Sequence, residues 1–377
     1  MIAAAAVLLF LLAGSLVYCV LTVVAARKYL AVPPPQPGQP VPISVLKPLH
    51  GVDEGLDDNL RSFFQQDYAD YELLFAVHQA DDSAVAVLER VRAEFSERPP
   101  SRLIVTGEPP GPNAKAFSLA RMVAEARAEI LVMSDSDVRV TPRFLQRVAA
   151  EFQDPRVGVT TCPYRAVAGK SLWSQLEAVG MNTEFLGGVL VARMLEGMKF
   201  ALGPTLAARR DVLERMGGFE YLKDFLAEDF VLGKRAAELG FEVLLSSCVV
   251  EHRIGSQPAG ANLRHRLRWA RSTRRSRPAG YWGQVFTNPL PLALLLVACV
   301  PKAWPLLALA LVFRAATAWA VAGWVLHDPL TRRRSWLVPV QDVLSFLVWI
   351  TGFFGNTVQW RGRKLEVLRD GRFRPAS

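Results

Sequence analysis

The chain has few of the residues that staple or metallate small domains. Its four cysteines, Cys19, Cys162, Cys248 and Cys299, stand singly, with no spacing that suits a disulfide framework or a structural zinc site. A reducing compartment is the default. Histidine is also scarce, and His50, His78 and His252 show no metal-cluster spacing, so all three are expected to be structural. No strand-like run is followed by G-x-G-x-x-G or G-x-x-x-x-G-K-[ST], which removes support for dinucleotide-binding and P-loop folds. Acidic residues are outnumbered, leaving a formal net charge of +9. Such an excess suits nucleic acid or anionic headgroups. Between Arg264 and Arg277, however, the basic residues are not interleaved with stacking aromatics, so no nucleic-acid partner is expected. Much of the excess borders apolar segments, where it meets lipid headgroups.

What the chain has in quantity is apolar sequence, 51% of its 377 residues, bunched at the two ends. Ile2–Ala26 carries no charge and is long enough to span a bilayer with some tilt. Arg27-Lys28 follow at once, which places the next residues in the cytoplasm by the positive-inside rule. Without basic residues ahead of the apolar run, an uncleaved anchor is expected over 1–28. Ala31–Pro42 holds six prolines and reads as a stiff spacer, within a linker over 29–42, that keeps a globular domain off the bilayer. Near the other end, Leu290–Val300, Trp304–Leu326 and Leu337–Val358 are apolar and make a membrane region over 284–360. Arg314 interrupts the second of these at a cost, with no partner evident. Arg332-Arg333-Arg334 and the basic tail over 361–377 both favour the cytoplasmic side. One crossing between them cannot satisfy both, so either the third segment is re-entrant or one basic group lies outside.

Between the ends, strand and helix alternate. Ile43–Leu49, Tyr71–His78, Arg102–Thr106 and Ile130–Met133 read as strands, with helices over Gly55–Gln66, Ser83–Phe95 and Ala114–Arg127. The alternation predicts an α/β domain over 43–260 with a doubly wound, mostly parallel sheet. Val157–Cys162, Phe200–Ala208 and Phe241–Val250 are further strands, and Leu172–Leu195 is a long helix that suits the membrane face. Ile130-Leu131-Val132-Met133 ends in Ser134-Asp135-Ser136-Asp137. Two carboxylates at the carboxyl end of a buried strand lie where ligands of open α/β sheets sit. Such a pair can hold a divalent ion whose shell is completed by substrate phosphates, or can simply cap the next helix. Asp81-Asp82 and Glu228-Asp229 likewise precede helices, where acids favour the helix dipole. Lys115 opens its helix within reach of a phosphate. Finally, 261–283 reads as a basic amphipathic helix at headgroup level, with Arg271, Arg274 and Arg275 toward lipid and Trp269 as a possible interface anchor.

In order, Asp81-Asp82, Asp135-x-Asp137, Glu228-Asp229 and His265-Arg266-Leu267-Arg268-Trp269 resemble the motifs of membrane-bound inverting glycosyltransferases of family 2. The likeness is to the ceramide glucosyltransferase group and the related bacterial hopanoid-biosynthesis enzymes, over Pro42 to about Arg369. It implies a GT-A-like domain with an N-terminal transmembrane anchor and C-terminal transmembrane helices. It further implies transfer of one sugar, glucose or N-acetylglucosamine, from a UDP-sugar to a membrane lipid hydroxyl with inversion. Asp82, or its neighbour Asp81, would hold the uracil or ribose. Asp135 and Asp137 would hold Mg²⁺ or Mn²⁺, and Asp229 would be the base. Arg268 and Trp269 would close the Q/R-x-x-R-W motif, from which His265 departs. The stretch Arg268–Tyr281 is more similar to the hopanoid group. Ceramide, a polyprenyl phosphate, or a non-catalytic membrane scaffold are the alternatives. A bacterial inner membrane, crossed several times with the catalytic domain facing the cytoplasm, is the implied location.

Overall fold

The computed structural model describes residues 2–95, 99–360 and 363–376. Arg361 of the basic tail lies outside these ranges. The α/β domain is built on a seven-stranded sheet. Its strands are β1 (Ile43–Pro48), β2 (Tyr71–Val77), β3 (Ser101–Val105), β4 (Ile130–Ser134), β5 (Val157–Thr161), β6 (Thr205–Arg209) and β7 (Glu242–Leu245). The order across the sheet is β3-β2-β1-β4-β6-β5-β7. β6 runs antiparallel to β4 and β5, and every other neighbouring pair is parallel.

Strand periodicity divides the core into two. Val45, Leu73, Phe75, Ile130 and Val132 pack on one face with Phe63, Leu88 and Phe144. Leu46, Leu74, Ala76, Leu131 and Met133 pack on the other with Leu119, Met122, Leu213 and Leu232. Successive residues point to opposite faces, so a strand covered on both sides must be apolar throughout. This is why YELLFAV and ILVMS read as continuous hydrophobic runs.

Several expectations are corrected. Phe241–Val250 is not one strand: β7 stops at Leu245, and Val250–Arg253 joins a separate small sheet between Val138–Arg139 and Tyr164–Val167. The long helix from Leu172 to Glu196 is mostly buried and is interrupted by a π-helical turn over Met181–Phe185. The proline segment does not hold the domain away from the anchor. The Tyr68 hydroxyl bonds both backbone groups of Val41, and the Gln153 amide donates to the Gln39 carbonyl. The helix Ile2–Leu30 itself enters the domain, where the Tyr29 hydroxyl donates to the Ser246 carbonyl at 2.7 Å.

Among the described residues, two helices are long and apolar enough to cross a membrane, Ile2–Leu30 and Pro301–Val325. Pro278–Phe286 and Pro289–Cys299 meet at 57° and pass the same test only as a pair. The third apolar segment is shorter than its sequence suggests. Its helix ends at Gly352, and Thr357–Trp360 is instead a strand, paired with Arg363–Val367 of the basic tail. Both basic groups lie on the α/β-domain side. Arg334 donates to Gln175, Arg165 to the carbonyls of Leu326 and His327, and Leu226 packs on Val358, Leu365 and Phe373 of the tail sheet.

Arg314 is paired after all. Its guanidinium forms a two-pronged bridge to Asp342, at 2.7 and 2.9 Å, and bonds Thr183 at 2.8 Å. Arg314 is 2% exposed and Asp342 fully buried. Asp342→Ala should cost about 3–5 kcal/mol by leaving that cation unpaired, whereas Arg314→Met with Asp342→Leu should recover most of the loss. Thermal unfolding of the detergent-solubilised chain checks both.

The basic helix is also reassigned. It spans Ala259–Ser276 and packs on Leu337–Gly352 and the tail sheet. Arg271 donates to the carbonyls of Phe354 and Thr357. Arg274 donates to the carbonyls of Phe353 and Gly355 and, like Arg275, to the Asn356 side chain. These arginines clamp the turn that leads into the tail, where headgroup contacts were expected. The turn exposes several backbone carbonyls in succession, and guanidinium groups satisfy them.

Candidate active site

The site forms at the carboxyl ends of the central strands. β4 carries Asp135, whose amide donates to the Pro204 carbonyl at 3.0 Å. Asp137 follows one turn later, and pairing of Val138 with His252 brings that ring against it. His252 Nε2 lies 3.1 Å from Asp137 Oδ2. The histidine expected to be structural is thus part of the site. Its signal was invisible because 115 positions separate it from its partner.

The helix Ala114–Glu125 points its first turn here. Asn113 caps it by accepting from Ala116 at 2.9 Å, and its own amide donates to the Phe225 carbonyl at 3.0 Å. Lys115 Nζ lies 2.7 Å from Asp135 Oδ1 and 3.4 Å from Glu228 Oε1. Glu228 and Asp229 open the helix Glu228–Glu238. One ammonium therefore joins the D-x-D carboxylate to the second acidic pair. Gly203 makes room for this closure, since a Cβ there would sit 2.8 Å from Asp229 Oδ2.

The carboxylates differ electrostatically. Burial, with Glu228 beside it, pushes Asp229 up to about 7, although Lys115 opposes the shift. For Asp137 burial also disfavours charge, but His252 and Lys47 overcome it and hold the group below its ordinary range. Burial raises Asp135 despite Lys115. Lys47, which the sequence reading passed over, is fully buried beneath the D-x-D turn and donates to the Asp135 carbonyl at 2.6 Å.

Asp137 Oδ1 is buried with no hydrogen-bond partner among the described residues. An unsatisfied carboxylate oxygen beside Asp135 fits a divalent cation. No group of three or more His, Cys, Asp or Glu is gathered for a metal among those residues. Asp135 and Asp137 would thus hold the ion in part, leaving other positions to phosphates and water.

Asp82 is used first as a helix cap. Its Oδ1 accepts from the amides of Ala84 and Gly51, both at 2.9 Å, and Oδ2 lies 3.5 Å from His50. Asp81 is exposed beside it. This pair follows β2, two strand spacings from β4, or roughly 10 Å. Trp269 is partly buried among other rings. Its ring lies 5.2 Å from His265 and 6.0 Å from Phe185, which stacks on Tyr164, and Tyr164 meets His252 edge-on at 5.4 Å. Arg268 sits one residue earlier, partly exposed. His265 Nδ1 is 2.7 Å from Glu177.

The chain is similar to several known proteins. The chain is 29% identical over 209 residues to ceramide glucosyltransferase 1 of Caenorhabditis elegans, covering 54% of this chain and 44% of that protein. It thus spans less than half of that relative. To ceramide glucosyltransferase 3 of the same nematode it is 22% identical over 343 residues, 88% of this chain and 74% of the other. Among solved structures, the mannosyltransferase PcManGT from Pyrobaculum calidifontis, in complex with GDP-Man and Mn²⁺, superposes with a TM-score of 0.55 at 20% identity. The match covers 93% of this chain and 99% of that one, so the GT-A-like fold is shared. The model of glycosyl transferase family 21 matches residues 7–373, and the chain belongs to that family.

Proposed function

We propose that this chain transfers a single glucose or N-acetylglucosamine from a UDP-sugar to a membrane lipid hydroxyl, with inversion, at the cytoplasmic face of a bacterial inner membrane. The observation that carries the reading is the Lys115 bridge, which ties Asp135 to the Glu228-Asp229 pair at the strand ends. Relatives named ceramide glucosyltransferase support a lipid acceptor. Ceramide and the hopanoid side chain suggested by Arg268–Tyr281 are the two candidates.

A divalent ion held by Asp135 and Asp137 would offset the charge gained by the departing diphosphate. Lys115, fixed between two acids, presents a cation to the same region. Glu228 is occupied by Lys115, which leaves Asp229 to take the acceptor's proton. A base poised near neutrality is strong enough to accept a proton and is still deprotonated in use. Asp82, or its neighbour Asp81, would hold the uracil or ribose. Arg268 and Trp269 would serve the diphosphate and sugar from the basic helix. One base opposite the leaving group suffices for single-step inversion.

Purified membranes carrying the chain, incubated with UDP-glucose or UDP-N-acetylglucosamine and either ceramide or a hydroxylated hopanoid, test the reading by mass analysis. A glycolipid heavier by one sugar is the expected product. Sugar polymers, or no lipid product with any donor, would refute it.

A further inference from the structure

Lys47 has no role in the chemistry above, yet it lies near the end of a central strand as a fully buried amine. Its Nζ donates to the Asp135 carbonyl at 2.6 Å and lies 4.0 Å from the centre of the Phe63 ring. Burying a polar amine costs free energy that its hydrogen bond only offsets. A methionine of similar length would fill the same space without that cost. Stability alone therefore does not account for a lysine here.

The D-x-D turn shows what it does. The three carbonyls of the turn each accept from a donor outside it, and that of Asp135 also accepts from the Val138 amide at 3.3 Å. Lys47 holds that of Asp135, the Asn59 amide that of Ser136 at 3.2 Å, and the Arg253 backbone N–H that of Asp137 at 2.7 Å. The Ser136 hydroxyl is tied to Asp53 at 2.7 Å. With the backbone fastened from below, the carboxyl groups of Asp135 and Asp137 are left partly open, each 30% exposed. We propose that Lys47 is a positioning residue for cation binding: its hydrogen bond to the Asp135 carbonyl sets the relative aim of the two carboxylates. This rests on the reading of Asp135 and Asp137 as the cation-binding pair. Lys47 itself touches neither the cation nor the sugar.

The test uses the full-length chain in detergent, with UDP as the probe and Mn²⁺ as the cation. In the wild type, Mn²⁺ should tighten UDP binding. Lys47→Met should leave metal-free UDP affinity unchanged. It should raise the Mn²⁺ concentration needed for half of the tightening by about tenfold, the scale of one lost buried hydrogen bond. Excess Mn²⁺ should restore the wild-type plateau. An unaltered Mn²⁺ requirement in Lys47→Met would overturn the proposal alone. Parallel loss of metal-free and Mn²⁺-supported binding would overturn it in favour of a structural lysine. A wild type whose UDP binding ignores Mn²⁺ would instead remove the cation reading, and the proposal with it.

Discussion

Asp135→Asn is expected to lower sugar transfer by more than about 100-fold, comparable to losing a principal charge stabiliser from an active site. The change keeps the shape of the side chain but removes two interactions at once. One is the carboxylate offered to the cation beside Asp137. The other is the ion pair with Lys115 at 2.7 Å, whose loss leaves that ammonium with Glu228 and the Gly203 carbonyl, both at 3.4 Å. Lys115 should then move toward Glu228, and the tie between β4 and the Glu228–Glu238 helix should slacken. UDP binding measured with and without Mn²⁺ separates the two effects. The Mn²⁺-dependent part should vanish, while binding through the Asp81 end of the sheet persists. Wild-type transfer in excess chelator would eliminate the cation from the mechanism.

Asp229→Asn should reduce turnover by about 100-fold or more, within the range for loss of an acid–base group. The amide fits beside Gly203 but cannot accept the acceptor's proton. UDP-sugar binding should survive, so the loss should fall on kcat. The pH dependence gives a second check. Asp229 is raised to about 7 by burial and by Glu228. Only its deprotonated form can act as the base, so kcat/KM should rise with pH through an acid limb and level off above it. A bound divalent cation nearby favours the carboxylate and would draw the midpoint below 7. In Asp229→Asn the residual rate should lose this limb. An unchanged acid limb in the variant would move the base elsewhere, with Glu228 the next candidate.

Much of the site was legible because its residues announce themselves locally. Asp135 and Asp137 end an apolar strand, and Glu228-Asp229 open a helix. Those positions follow from strand periodicity and helix starts, which depend on neighbours in the chain. His252, Lys47 and Gly203 were not legible. Each looks like an ordinary strand or loop residue until distant segments meet. His252 arrives by strand pairing with Val138, and Gly203 matters because Asp229 closes over it. The arginines of 259–276 misled for a related reason. Their spacing described a charged face correctly, but spacing does not say whether lipid phosphates or backbone carbonyls satisfy that face.

The sequence by itself determined the α/β domain, the flanking apolar helices, the order of the acidic motifs and the family likeness. Hydrophobic periodicity and residue chemistry carry that information along the chain. Only the tertiary structure decided that Lys115 bridges Asp135 and Glu228, and that Asp82 spends an oxygen on a cap. Tertiary structure likewise paired Arg314 with Asp342 and turned the tail back against Leu226. Each of these is a contact between charges or carbonyls far apart in sequence. Their energies depend on distance and burial, which packing sets and residue order does not.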